Sequence, residues 1–409
     1  MNTNATRQLA VAPVTARRDG INRLTGHRLS CQSWYYGIQL AIVACTVSHS
    51  LSPPGGLLLM LDSANHSVVQ RSAARPRRRQ LLTCLGPGGL SGAIAALSGC
   101  ATEQSALAPA GREAHQIAQL FWWMLGVGTV IWLIMMGLAF YALVLRREPH
   151  SERQTRLLVI VGGAVVPTVI LTILLCFGLS MLPKLVAPAP AGSLVIHVHS
   201  AQWWWRVQYQ SASGQSIELA NEICIPVDEP VEFRLESEDV IHSFWIPSIG
   251  GKVDMIPGRT TRLVLHPTRT GNYRGACAEY CGSSHALMNF YVRVVTRAEF
   301  DDWLELQSRD VAIPTEPAAL SGREAFISSG CGACHALRGT SASGAVGPDL
   351  THFGSRRSVG AGVLENNAHS IVHWLKTTEH IKPDVEMPAF HFLGEERLRD
   401  LAAYLEQLK

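Results

Sequence analysis

Two long stretches without a charged side chain constrain this chain more than any other feature. Leu120 to Leu145 runs 26 residues uncharged, and Leu157 to Pro183 runs 27. Each exceeds the roughly 20 residues an α-helix needs to cross the hydrocarbon of a bilayer, where backbone polar groups must be satisfied within the segment. A transmembrane helical hairpin over 117–184 follows. Pro167 is tolerable in the second helix, because packing or local unwinding can satisfy the carbonyl it frees. The connecting loop carries Arg146, Arg147, Arg153 and Arg156 against Glu148 and Glu152, whereas the outer flanks are poor in basic residues. By the positive-inside rule the loop is cytoplasmic and both ends lie outside. Everything after Lys184 is therefore expected on the extracytoplasmic side. The charged fraction, 16%, agrees with a membrane share, since soluble domains average about 25%.

Residues 1–99 look unlike a folded domain. They hold ten Arg against Asp19 and Asp62, while the rest of the chain carries 25 basic and 30 acidic groups. A basic block from Arg71 to Arg79 precedes an apolar run from Leu81 to Leu97, which ends Leu97-Ser98-Gly99-Cys100. Basic, apolar and small residues in that order make a signal peptide. The ending resembles a bacterial lipoprotein box, in which Cys100 is acylated and becomes the first residue. Met60 is an alternative start, which would place 1–59 outside the gene product. Residues 100–116 then form an extracytoplasmic segment. Without its leader the chain is mildly acidic, which removes the electrostatic basis for a nucleic-acid role.

Beyond the hairpin the pattern turns to β. Val231, Phe233 and Leu235 alternate with Glu232, Arg234 and Glu236, and Leu263/Leu265 and Phe290 to Val295 look alike. Such period-2 alternation reads as half-buried strands, so 185–300 is expected to be an all-β sandwich or barrel. A stretch over 301–319, with Pro314 and Pro317, reads as a linker. Residues 320–409 read as helical: Ser321-Gly322-Arg323-Glu324 suits a capping-box start, and Leu398, Leu401, Leu405 and Leu408 share one helix face.

Two clusters carry chemistry. In Cys331-Gly332-Ala333-Cys334-His335, two thiols three apart can both add to haem vinyl groups, and the adjacent His reaches the iron. A thioredoxin-like pair or a zinc half-site would need a βαβ unit or a second Cys pair, which this region lacks. Met387, before the terminal helix, is placed to be the sixth ligand. The second cluster runs Cys277-x3-Cys281-x3-His285-x2-Met288. Thiolates, imidazole and thioether are soft ligands that favour copper. A zinc site would leave Met288 unused, and a disulfide would leave both His285 and Met288 unexplained. A further ligand is available from His242 at a strand end.

The order of a two-span hairpin, Gln202-Trp203-Trp204-Trp205, Asp239-x-x-His242 and the Cys277 to Met288 loop resembles subunit II of haem–copper cytochrome c oxidase. That likeness covers about 120–300. The C-terminal 90 residues, with Gly347-Pro348-Asp349-Leu350 and Met387-Pro388, resemble a class I cytochrome c. The resemblance implies a multidomain membrane protein: a two-helix transmembrane hairpin, an all-β cupredoxin-like Greek-key domain and an all-α cytochrome c domain. It implies a dinuclear copper centre, CuA, bridged by Cys277 and Cys281, with His242 and His285 binding one copper each. Met288 and the backbone carbonyl of Glu279 would complete the set. The Glu279 carboxylate would reach a magnesium ion at the boundary with subunit I, and Trp203 would be where electrons enter. Haem c would be held by Cys331 and Cys334, with His335 and Met387 as axial ligands.

The implied function is that of an oxidase subunit that receives electrons from a soluble or membrane cytochrome donor. It passes them through haem c and CuA to a catalytic subunit that reduces oxygen and moves protons. Subunits I and III and membrane lipid are the expected partners, and the bacterial inner membrane, with both terminal regions periplasmic, is the expected location. The cytochrome is expected to dock transiently at Trp203 on its linker. Two rival functions are a membrane-anchored copper–haem carrier serving another reductase and a copper-delivery lipoprotein. The sequence departs from the family at Ala201 and Trp204, neither a metal ligand. It also departs at Ile160 and Gly163, where many relatives place a Glu and a Trp, so a proton path through this subunit is not implied.

Overall fold

A computed structural model describes residues 102–145, 151–211 and 214–409, so the expectations for the leader, Met60 and Cys100 fall outside the described residues. The first uncharged stretch is helix α1, Arg112–Phe140, continued by a π-helical turn, Tyr141–Leu145. The second is α2, Glu152–Ile160, a π-helical turn, Val161–Val165, and α3, Val166–Leu185. Pro167 falls in the first turn of α3, directly after the widened turn, where its missing N–H and the clash of its ring are absorbed. Both helices are long and apolar enough to cross a membrane, at 34 and 32 residues, and the rest of the chain does not cover their apolar windows.

Helix α1 starts at Arg112, inside the segment 100–116 expected to precede the hairpin. Its first turn is fastened to the β domain. Arg112 N donates to His266 O at 2.9 Å and Ala114 N to Ile249 O at 3.2 Å, so the orphan donors of a helix N-terminus are satisfied by another element. The Glu113 carboxylate accepts from His266 N at 2.9 Å and pairs with His266 Nδ1 at 2.6 Å. The hairpin is thus tied directly to the domain that carries the metal-ligand loop.

Ten strands follow: β1 Leu194–Ala201, β2 Trp204–Gln210, β3 Ser216–Ala220, β4 Glu222–Pro226, β5 Val231–Ser237, β6 His242–Trp245, β7 Lys252–Met255, β8 Thr261–Leu265, β9 Gly271–Cys277 and β10 Asn289–Val295. They form two five-stranded sheets, ordered β3-β2-β1-β5-β8 and β4-β10-β9-β6-β7. Pairing is antiparallel except for β1 with β5 and β4 with β10. One core lies between the sheets, and Val231, Phe233 and Leu235 point into it as the alternation predicts. Glu232 does not face water as expected. It is buried and accepts from Ala189 N at 3.3 Å and Arg234 Nε at 3.2 Å, which satisfies a carboxylate that burial would otherwise penalise. Trp205 is fully buried among Phe244 and Phe290, with ring centroids 5.8 and 5.0 Å away, in the edge-on geometry that aromatic quadrupoles favour.

The stretch 301–319 differs from the expected linker. Helix α4, Arg297–Ser308, occupies its first half, closed by a capping box between Thr296 and Glu299. Phe300 is buried in the sandwich core, with Trp303 and Leu304 packed on it. Only residues 309–316 join this helix to α5, Pro317–Ser328. Ser321 is no cap, because α5 begins at Pro317; its hydroxyl donates instead to Asp400 Oδ2 at 2.7 Å. The C-terminal domain continues with a two-stranded ribbon, β11 Ser358–Val359 and β12 Leu364–Glu365. Helices α6, Ala368–Ile381, and α7, Glu395–Gln407, complete it. The Leu398, Leu401, Leu405 and Leu408 stripe is buried, as its spacing predicts.

Candidate metal and haem centres

Strand β9 ends on Cys277 and β10 begins at Asn289, so the Cys277 to Met288 loop is a connection between paired strands with both ends fixed. Strand β6 pairs with β9, which brings His242 alongside the loop. The sulfurs of Cys277 and Cys281 are 3.8 Å apart, far beyond the roughly 2.05 Å of a disulfide. Cys277 Sγ lies 3.8 Å from His242 Nδ1 and 3.2 Å from the Glu279 carbonyl oxygen. Cys281 Sγ lies 3.4 Å from His285 Nδ1 and 3.8 Å from Met288 Sδ. Every ligand atom expected from the loop therefore converges, and His242, Cys277 and Cys281 offer donor atoms within 4.8 Å of one another. The Glu279 side chain points out to solvent, as does Tyr280.

The surroundings orient these donors. His242 is fully buried and its Nε2–H donates to Asp239 Oδ1 at 2.8 Å, so Nδ1 presents its lone pair to the sulfurs. The Cys281 carbonyl accepts from Gln202 Nε2 at 2.7 Å and from the Trp203 indole N–H at 2.9 Å. Gly282 adopts φ +112°, and a Cβ there would stand 3.0 Å from both the Trp203 ring and Gln202. Only glycine lets the loop turn beneath that tryptophan. Trp203 is 5% exposed.

The two thiols are unequal. The contact with Cys281, aided by those with His242 and the backbone, draws Cys277 down to about 3, against the opposing effect of burial. The same contact and burial push Cys281 up. Two buried thiolates this close repel each other unless a cation lies between them, and metal ions provide one. The donor set, two sulfurs that can be shared with an imidazole on each side, a thioether and a carbonyl, suits a soft, thiolate-bridged metal pair.

In the helical domain, Cys331 sits in a short 3-10 turn, Cys331–Ala333, and His335 N donates back to Cys331 O at 3.0 Å. That turn holds both thiols and the imidazole on one short segment. His335 Nδ1–H donates to Pro348 O at 2.8 Å, which leaves Nε2 as the lone-pair nitrogen. A Cβ on Gly347 would stand 2.6 Å from the imidazole, so the ring is clamped in place. Burial pulls His335 below the ordinary imidazole range and keeps it neutral, the state in which it ligates a metal. Cys331 and Met387 pack against the same hydrophobic core. Arg338 carries two buried guanidinium nitrogens with no acceptor among the described residues, donors that suit a carboxylate of a haem.

Sequence reasoning missed Lys382. It is 2% exposed and reaches from the helical domain to the Trp203 carbonyl. Nothing in its neighbourhood, His380-Ile381-Lys382-Pro383-Asp384, sets it apart from an ordinary solvated lysine.

Both the β domain and the helical domain are similar to domains of known proteins. Residues 206–295 match the family described as cytochrome c oxidase subunit II, periplasmic domain, and 319–409 match cytochrome c. Cytochrome c oxidase subunit 2 of Alkalihalophilus pseudofirmus is 34% identical over 326 residues, 76% of this chain and 94% of that protein. Cytochrome c oxidase subunit 2 of Bacillus sp. PS3 is 35% identical over 255 residues, 60% of this chain and 69% of that protein. The crystal structure of the periplasmic domain of subunit II of cytochrome oxidase from Bradyrhizobium japonicum is 32% identical. It covers 30% of this chain and 96% of that chain, with a TM-score of 0.28.

Proposed function

The chain belongs to the cytochrome c oxidase subunit 2 family, and from that premise we propose that it receives electrons at its cytochrome domain and relays them through a copper pair to a catalytic oxidase subunit. The observation that carries this reading is the convergence of His242, Cys277, Cys281, His285 and Met288 around one pair of sulfurs. Copper and haem c, when bound, supply carriers that accept and release one electron at a time.

The residues' share of the work is to hold those carriers still and dry. Cys277, Cys281, His242, His285, Met288 and the Glu279 carbonyl would hold the copper pair, with the two thiolates supplying the soft donors that both metals could share. Asp239 fixes the His242 tautomer, and Gln202 and Trp203 fix the Cys281 carbonyl. Rigid ligands reorganise little when charge changes, which suits a relay and not a substrate site. In the cytochrome domain Cys331 and Cys334 would attach a haem covalently, and His335 and Met387 would ligate its iron. The exposed Glu279 and Tyr280 face would lie in the contact with subunit I, where the Glu279 carboxylate would be available to a magnesium ion. Subunit III, a cytochrome donor and the surrounding lipid complete the proposed partners. Burial of both thiols, at 7% and 3% exposure, argues against a copper-delivery role, which needs ligands open to exchange.

Two tests arise here. Met387→Ala is expected to lower the haem potential and open the iron to external ligands such as cyanide or imidazole, with the copper absorption unchanged. Visible spectra during ligand titration check it, and an unaltered haem would remove Met387 from the site. Cys100, proposed as the lipidated first residue of the mature protein, predicts an intact mass that starts at Cys100 with a diacylglycerol adduct. A mature chain retaining residues 60–99 would refute it.

A further inference from the structure

The cytochrome domain does not hang on a tether. Its Lys382, at the end of α6, sends its ammonium across to the β domain. Nζ donates to Trp203 O at 2.5 Å, to Leu287 O at 3.1 Å and, within its own domain, to Gly360 O at 3.0 Å. An ammonium has three N–H donors, and all three are used. No carboxylate pairs with it among the described residues; its only hydrogen-bond partners are these three backbone carbonyls. A lysine that merely filled space at 2% exposure would be better replaced by methionine, because desolvating a cation is costly.

The carbonyls it gathers are not arbitrary. Trp203 is the residue whose indole holds the Cys281 carbonyl, and Leu287 immediately precedes Met288. Lys382 itself lies five residues before Met387. The same contact is reinforced on both sides. Ser284 Oγ donates to Pro383 O at 2.6 Å, and Ser283 bonds Asp384. Asn289 N donates to Ala361 O at 3.1 Å, and Arg274 Nη2 to Gly362 O at 3.2 Å. Two backbone segments that carry proposed ligands of different metals thus meet at the Lys382 ammonium, flanked by these further hydrogen bonds.

We propose that Lys382 is a positioning residue for electron transfer inside this chain: it holds the cytochrome domain in a single docked arrangement on the Trp203 and Leu287 carbonyls, so that transfer between the two centres needs no search by a mobile domain. The inference rests on the functional reading above for the identity of the two centres, and on the hydrogen bonds alone for the docking.

The test uses the full-length chain purified in detergent with its partner subunit. Hydrogen–deuterium exchange reads the docking without reference to activity, because the Asn289 amide is protected by an acceptor in the other domain. Lys382→Met is expected to raise exchange at Asn289 at least tenfold while leaving the haem and copper spectra unchanged. Haem-to-copper transfer after flash reduction should slow at least tenfold, and it should become dependent on solvent viscosity. In the unsubstituted chain the rate should not change when viscosity is raised with glycerol. A wild-type rate that falls in proportion to viscosity overturns the proposal, as does an unchanged rate in the variant whatever its exchange. If the variant fails to incorporate haem, the wild-type viscosity series decides alone. A wild-type complex lacking copper or haem c would refute the proposed function and leave the exchange result standing.

Discussion

Cys281→Ser is expected to abolish the near-infrared absorption of the copper pair and oxidase turnover, while the haem c spectrum is retained. Cys281 touches three other proposed ligands: Cys277 at 3.8 Å, His285 at 3.4 Å and Met288 at 3.8 Å. Removing its sulfur takes away one of the two thiolates that would be shared between the metals and leaves the remaining donors short of what a metal pair would need. A serine hydroxyl is of similar size but is a hard, weakly acidic ligand, so the loss is chemical and not steric. The haem should survive because Cys331, Cys334 and His335 lie in a domain with its own hydrophobic core. Absorption spectra of the purified variant check this. Retained near-infrared absorption would place the copper elsewhere; joint loss of haem would make the two domains one folding unit.

Trp203→Leu should slow haem-to-copper transfer tenfold or more, about 1.4 kcal/mol of barrier, with both spectra intact. Trp203 holds the Cys281 carbonyl with its indole N–H at 2.9 Å and offers its own carbonyl to Lys382 at 2.5 Å. Leucine keeps the second contact, which is backbone, and loses the first together with the aromatic ring packed beside Gly282. Because the docking contacts remain, exchange at Asn289 should stay at its wild-type level, which separates this variant from Lys382→Met. The effect should depend only weakly on salt, since the contacts that dock the cytochrome domain are mainly hydrogen bonds to carbonyls. An unchanged rate would return Trp203 to a packing role.

What could be read from the residues and what could not divides by sequence distance. Membrane spans and ligand loops are local. An uncharged run states its own length, and metal chemistry needs donors at short spacings, so Cys277 to Met288 and Cys331 to His335 declared themselves. Strand alternation placed Phe233 and Leu235 correctly because one face of a sheet is buried whatever it packs on. Helix α4 was hidden by its surface. Phe300, Trp303 and Leu304 have helical spacing, but Glu299, Asp301, Asp302 and Glu305 around them look like the solvated stretch before a linker. The Ser321 cap failed because Pro317, favoured in a first helical turn, starts α5 four residues sooner.

The relation between the domains was illegible for a stronger reason. Lys382 reaches Trp203 over 179 residues of chain, and only the folded backbone shows that three carbonyls meet there. A lysine in sequence is a surface residue by default. The expectation of a cytochrome docking transiently on a flexible linker therefore gives way to a short connection, 309–316, between domains hydrogen-bonded to each other.

Metal and haem analysis of the detergent-purified complex, combined with its electron-paramagnetic spectrum and subunit masses, tests the central claim most directly. The expected result is a pair of coppers sharing one unpaired electron and a covalent haem c on this chain, purified together with a larger haem-bearing subunit. Zinc or a single isolated copper at the Cys277–Cys281 site, or a chain that purifies without an oxidase partner, would contradict it.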